Sequence, residues 1–285
     1  MKKYVLILGG LLMMALSTGC QKKIELGKNA SFTIEKNVSY GEDPQQEMDI
    51  YIPKNKSKEG VFIIIHGGGW RGGERSQITS FTFDLMKKFP THTFVNMDYR
   101  LASTKQFALP NQMDDIKNAM LKVEKKLNYK PRYILLGNSA GGSLSMLYAY
   151  KFDQDKKVKA VVNIVGPADL SDPDFKNYDD YSFLEKHLID PKIVDKNISP
   201  MNFGSPTHWI TATSTPTISF YGTQDEVVPM SQKKILDSTM DKNKVYHESY
   251  EFNGNHLSWE EKSHSTFLIN KISNFLKNID KNKTL

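Results

Sequence analysis

Four short stretches hold the residues whose types and spacing could break an acyl bond. Gly137-Asn138-Ser139-Ala140-Gly141-Gly142 follows the apolar run Tyr133–Leu136 and precedes a helix-like segment, Ser143–Tyr150. Strand, G-x-S-x-G, helix is the layout of a nucleophile elbow, which presents a serine Oγ on a sharp and strained turn. A Cβ at Gly137 or Gly141 would crowd such a turn. Read this way, Ser139 is a nucleophile. The plainer reading is a glycine-rich turn with serine at a helix cap, so the weight falls on Ser139's companions.

The second stretch, His66-Gly67-Gly68-Gly69-Trp70, directly follows the apolar run Val61–Ile65. Successive glycines let the backbone turn bare N–H groups into a cleft. With the N–H of Ala140 they would make an oxyanion hole. A phosphate-cradling loop is the competitor, but no lysine or G-x-G-x-x-G spacing follows. Asp225, on a loop after the strand-like Thr217–Tyr221, is the candidate acid, with Glu226 as its neighbour and rival. A carboxylate there can hold an imidazole Nδ1–H and stabilise the imidazolium. His256, on the glycine-containing loop Asn253–Leu257, is the candidate general base. His264 is its near rival, and His66 reads as a structural part of the glycine loop.

Elements must bring these loops together. Phe32–Ser39 and Glu47–Ile52 read as an antiparallel edge hairpin. Val61–Ile65, Thr93–Met97, Tyr133–Leu136, Val158–Val165, Thr217–Tyr221 and Val245–Phe252 read as further strands. Helices are expected over Ser76–Phe89, Asn111–Leu127, Met230–Met240 and Ser265–Ile279. In Asn111–Leu127 the residues Met113, Ile116, Met120, Val123 and Leu127 recur near a 3.6 period. Alternating β and α units predict an α/β fold, a mostly parallel sheet covered on both faces, with ligands bound at the strand C-termini. Every motif above lies just past a predicted strand. Residues 166–215 break the alternation and read as a lid-like insertion forming a wall of the pocket.

Taken together, these stretches resemble the α/β-hydrolase carboxylesterases of the hormone-sensitive-lipase-like group. The resemblance rests on His66–Trp70, Asp98-Tyr99-Arg100-Leu101-Ala102, Gly137–Gly142, Tyr221–Asp225 and His256, in the chain order Ser, Asp, His of that fold. It implies Ser139 as nucleophile, Asp225 as acid, His256 as base, and Gly67, Gly68, Gly69 and Ala140 at the oxyanion hole. The elbow of that group often carries aspartate where Asn138 stands here. The implied reaction is carboxylic-ester hydrolysis through an acyl-enzyme, with no metal or organic cofactor, on short-chain, acetyl or aryl esters, including esters on polysaccharide. Arylformamidases and peptidases use the same fold. A non-catalytic binding protein on this scaffold is the reading from another class.

Composition sets the compartment and excludes other partners. The chain has 285 residues, 39% of them hydrophobic, enough for one sizeable core. Its formal charge of +6 is spread as lysines, without an arginine-rich arm or basic-aromatic module, so nucleic-acid binding is not expected. Lys2 and Lys3 precede the apolar run Tyr4–Leu16, which is too short to span a bilayer and fits a secretory h-region. Ser17-Thr18-Gly19-Cys20 follows and resembles a lipobox, although Ser17 stands where leucine is preferred. Residues 1–19 are therefore expected to be a signal peptide and Cys20 a lipidated residue. Residues 20–30 would be a polar tether and 31–285 the hydrolase domain, exported and held at a bacterial membrane by lipid. Cys20 is the only cysteine, so no disulfide can form within the chain.

Overall fold

The computed structural model describes residues 22–55 and 59–282. The expected signal segment and Cys20 lie outside the described residues. Among the described residues nine strands form one sheet: β1 (Lys22–Glu25), β2 (Ser31–Ser39), β3 (Glu47–Pro53), β4 (Val61–Ile65), β5 (Thr93–Met97), β6 (Tyr133–Asn138), β7 (Val158–Ile164), β8 (Thr217–Gly222) and β9 (His247–Phe252). Their spatial order is β1-β2-β3-β5-β4-β6-β7-β8-β9. β1, β2, β3 and β5 pair antiparallel, and from β5 through β9 every pairing is parallel.

The α-helices of the described residues are α1 (Thr79–Lys88), α2 (Asn111–Leu127), α3 (Ala140–Leu147), α4 (Tyr181–His187), α5 (Pro200–Gly204), α6 (Met230–Lys242) and α7 (Lys262–Asn282). Among the described residues no helix is long and apolar enough to cross a membrane. Continuous apolar strands need cover on both faces, and the side-chain alternation of β4 shows that cover. Val61, Ile63 and Ile65 pack into the core shared with α2, α3 and α6. Phe62 and Ile64 pack into the opposite core with Phe81, Leu85, Leu268, Ile272 and Phe275 of α1 and α7. The buried residues Met113, Ile116, Met120 and Val123 of α2 are those its periodicity picks out. This is the α/β architecture expected from the sequence.

Beyond shifts of a few residues at element ends, three readings differ, each for a physical reason. Lys22–Glu25, within the stretch read as a tether, pairs with β2 over Lys22↔Ile34 to Glu25↔Ser31. Its only apolar residue is Ile24, so the strand rests on backbone hydrogen bonds and carries no alternation to read. β3 is not an edge strand. It lies between β2 and β5, and Met48, Ile50 and even Tyr51 are fully buried. Finally, α3 begins at Ala140 rather than Ser143. Gly141 and Gly142 are poor helix formers, but the turn at Ser139 opens the helix and all eight of its residues are buried.

The parallel register puts the C-terminal ends of β4, β6, β8 and β9 along one edge of the sheet. The loops that leave those ends carry the glycine run, Ser139, Asp225 and His256. Between β7 and β8, residues 165–216 run through α4, α5 and short 3₁₀ turns. That segment is tied down by Gln232 of α6. Its Oε1 accepts from Ala168 and Asp169 N–H at 2.7 and 2.8 Å, and its Nε2 donates to Asp172 at 2.8 Å.

Candidate active site

Ser139 sits where β6 turns into α3, at φ 52° and ψ −125°. A non-glycine residue in that region costs on the order of 1–3 kcal/mol and persists only when its surroundings hold it. They do so through the backbone. Ser139 N–H donates to Ile164 O at 2.8 Å, and Ser143 N–H donates to Ser139 O at 3.1 Å. Gly141 is required by close approach, because a Cβ there would lie 2.1 Å from Ile65 O, inside the neighbouring strand end.

Ser139 Oγ–H donates to His256 Nε2 at 2.9 Å, and His256 Nδ1–H donates to Asp225 Oδ2 at 2.8 Å. The Asp225 side chain is fully buried, and its other oxygen accepts the N–H groups of Val227 and Val228 at 2.9 and 2.8 Å. A carboxylate taken out of water needs such partners to stay charged. Two backbone donors and an imidazole N–H supply them and fix its direction. The rivals are placed elsewhere. Glu226 is exposed, and His264 Nδ1–H donates to Ser258 O at 2.8 Å, bracing the loop that holds His256.

The glycine loop is held from beneath. Gly67, Gly68 and Gly69 line the same cavity as Ser139 and His256, a space of about 680 Å³. Gly68 has φ 114°, where a Cβ would stand 2.2 Å from Gly72 O. Ala140 is buried directly after Ser139 at the start of α3, where N–H groups have no partner within the helix. The carbonyl of Trp70 accepts from Ala102 N–H at 2.9 Å and Gln112 Nε2 at 2.8 Å. His66 is buried. Its Nδ1–H donates to Gly67 O at 2.7 Å, and its ring stacks on Tyr99 at 4.2 Å. Burial holds the His66 imidazole below its usual range, favouring the neutral ring.

Asp98-Tyr99-Arg100, quoted above only for its resemblance, proves to be the loop's foundation. Asp98 accepts from the Arg75 backbone N–H at 2.5 Å and from its guanidinium, which also reaches Asp49 and Glu47. Tyr99 Oη–H donates to His66 O at 2.9 Å. Arg100 forks onto the buried carboxylate of Asp115 at 2.7 and 2.9 Å.

The insertion expected to form a wall of the pocket does border it, through residues that sequence reasoning does not single out for the site. Tyr178 and Asp180 of the segment between β7 and β8 line the cavity, as do Gln77, Val227, Leu257, Trp259 and Glu260. Arg71, in the glycine loop, pairs with Asp180 at 3.0 Å and lies over the Phe183 ring at 4.7 Å. The Tyr178 hydroxyl comes so close to Gly69 that a Cβ there would sit 2.8 Å from it. The cluster of aromatics in residues 175–183 was the one available signal.

A mostly parallel sheet with helices on both faces, a serine elbow after β6 and an acid and a histidine after β8 and β9 define the α/β-hydrolase fold. The fold recurs in a solved structure, a truncated form of a carbohydrate esterase from gut microbiota. That protein is 19% identical, with a TM-score of 0.67 over 88% of this chain and 99% of that one. The chain belongs to the BD-FAE family, which it matches over residues 48–240. Esterase LipC of Mycobacterium tuberculosis (strain ATCC 25618 / H37Rv) is 26% identical over 229 residues, 73% of this chain and 55% of that protein. Kynurenine formamidase avaC of Aspergillus versicolor is 26% identical over 123 residues, 38% of this chain and 43% of that one. The chain thus spans about half the length of the curated relatives it matches.

Proposed function

We propose that this protein is a carboxylesterase-type serine hydrolase. The observation that carries the reading is the unbroken hydrogen-bond chain Asp225–His256–Ser139, ending at a strained serine that opens on a 680 Å³ cavity. In this mechanism Ser139 Oγ attacks the ester carbonyl while His256 Nε2 takes its proton. Asp225 stabilises the imidazolium. N–H groups of the glycine loop and of Ala140 hold the oxyanion. The carbonyl C–O bond to the alcohol then breaks, and the imidazolium returns the proton to the departing alkoxide. Water, deprotonated by His256, resolves the acyl-enzyme and restores Ser139.

Short acyl esters are the proposed substrate class, acetyl or aryl esters on polysaccharide among them. The likeness to LipC and the carbohydrate esterase supports it. The glycine loop and the elbow support a place beside the hormone-sensitive-lipase-like carboxylesterases. Export and lipid attachment at Cys20 complete the reading and rest on the sequence pattern alone. The likeness to a formamidase is confined to the shorter match, so amide cleavage is treated as an outcome of the test. A fluorophosphonate probe is expected to label the protein but not a Ser139→Ala variant, and short p-nitrophenyl esters to be turned over faster than aryl formamides. Full ester turnover by Ser139→Ala would overturn the mechanism. Faster formamide than ester turnover would reassign the reaction.

A further inference from the structure

The histidine side of the site leads further than bond cleavage requires. The proton taken from Ser139 must pass from His256 to the departing alkoxide, so that oxygen leaves beside His256. Residues that follow His256 in the chain therefore flank the leaving alcohol, and Leu257, Trp259 and Glu260 all line the cavity. Gln77, just before α1, lines it too. A second cavity of about 110 Å³ adjoins, and Gln77, Trp259 and Glu260 are part of its wall as well. The rest of that wall is Ser80, Phe81, Asp84 and Ser265.

This lining has a definite chemical character. Two hydroxyls, a carboxamide and two carboxylates surround an edge-to-face aromatic pair, Phe81 and Trp259, with ring centroids 5.4 Å apart. Both rings are buried and form the floor, and the polar rim suits hydroxyl groups. The two carboxylates are not equivalent. Asp84 is held by Lys87 and Lys262, each at 2.8 Å. Among the described residues no basic side chain pairs with Glu260, which stands where the two cavities meet. Its acceptor capacity is open to a ligand, and a carboxylate can accept two hydroxyl donors at once.

We propose that the second cavity is a leaving-group subsite for a neutral polyhydroxylated alcohol, with Glu260 as the residue that selects it. The inference rests on the esterase reading above. An anionic alcohol would meet like charge at Glu260, and an alcohol with no further hydroxyl would offer Glu260 no donor.

The test compares two substrates with one acyl group, glucose 6-acetate and ethyl acetate, in the wild type, Glu260→Ala and Glu260→Gln. The ratio of kcat/KM for the sugar acetate to that for ethyl acetate is expected to fall at least tenfold in Glu260→Ala, mainly through KM. Tenfold corresponds to about 1.4 kcal/mol, in the range of a hydrogen bond to a charged group. Glu260→Gln, which keeps an acceptor but loses the charge, is expected to fall between the two. A ratio unchanged within twofold in Glu260→Ala, or a wild type that does not prefer the sugar acetate, would overturn the subsite and leave the esterase reading standing. Failure of the wild type on both acetates would overturn the subsite, and the esterase reading would fall with it only if short p-nitrophenyl esters were not turned over either.

Discussion

The two walls of the cavity are built in different ways. On one side stand the elbow, the glycine loop and the loops bearing Asp225 and His256. They are fixed by backbone approaches too close for a Cβ and by buried side chains such as Tyr99 and Asp115. On the other side stands the segment between β7 and β8. Its base is anchored through Gln232, but its rim meets the glycine loop through a pair, Arg71–Asp180, whose side chains are 42% and 36% exposed. Under the proposed mechanism the first wall holds positions that must be right to a few tenths of an ångström for proton transfer. The second needs only to fill space against a substrate, and shallow contacts suffice.

That contrast predicts a graded response to mutation. Ser139→Ala on the deep wall is expected to lower ester kcat by about 10⁴-fold or more, with the melting temperature essentially retained. A variant keeping a tenth of the activity would show that Ser139 is not the nucleophile. Gly68→Ala should cost about 10²–10³-fold in kcat, the worth of an oxyanion donor, because its Cβ cannot coexist with Gly72 O. A change confined to KM would move that loop out of the oxyanion hole.

His66 tests the foundation of the deep wall through pH. Its folded-state pKa is depressed by burial, so near and below pH 6.5 the unfolded chain binds more protons at this residue than the native chain does. Stability from this group is therefore full above about pH 6.5, the ordinary imidazole value, and is lost as pH falls below it. A His66→Gln variant should melt lower than the wild type at pH 7.5 yet lose less on acidification to pH 5. Parallel melting curves for the two proteins would contradict a buried neutral His66.

The shallow wall should respond least. Exposed ion pairs contribute about 0–1 kcal/mol, so Arg71→Ala is expected to change kcat/KM by no more than about fivefold. The change should shrink as salt is raised toward 1 M. A hundredfold loss would mean that the rim, too, positions the reacting groups.

The same division explains what the sequence reveals. Chemistry restricts residue types at the deep wall, and parallel strands deliver their C-terminal loops to one edge. The glycine runs, Ser139, Asp225 and His256 therefore stand out in the sequence, each just past a predicted strand. The strands with continuous apolar runs and α2 with its 3.6 period are legible for the same reason, since burial dictates their composition. β1 is not, because backbone pairing leaves no mark on side-chain pattern. Nor is the clasp between Arg71 and Asp180, whose partners lie far apart in sequence and meet only because an irregular segment folds back over the glycine loop. Glu260 escapes notice because nothing in a lone glutamate tells which cavity it will border.

The strained backbone at Ser139 also bears on descent. At φ 52° and ψ −125°, glycine would sit there without the penalty of about 1–3 kcal/mol, losing part of that gain, about 0.5–1 kcal/mol, to its freer unfolded chain. A Ser139→Gly protein should therefore melt above its active parent. Loss of the nucleophile is then a downhill step in stability. In a lineage released from selection for turnover, this position would drift toward an inert, sturdier scaffold, and only continued use of the reaction keeps serine in place.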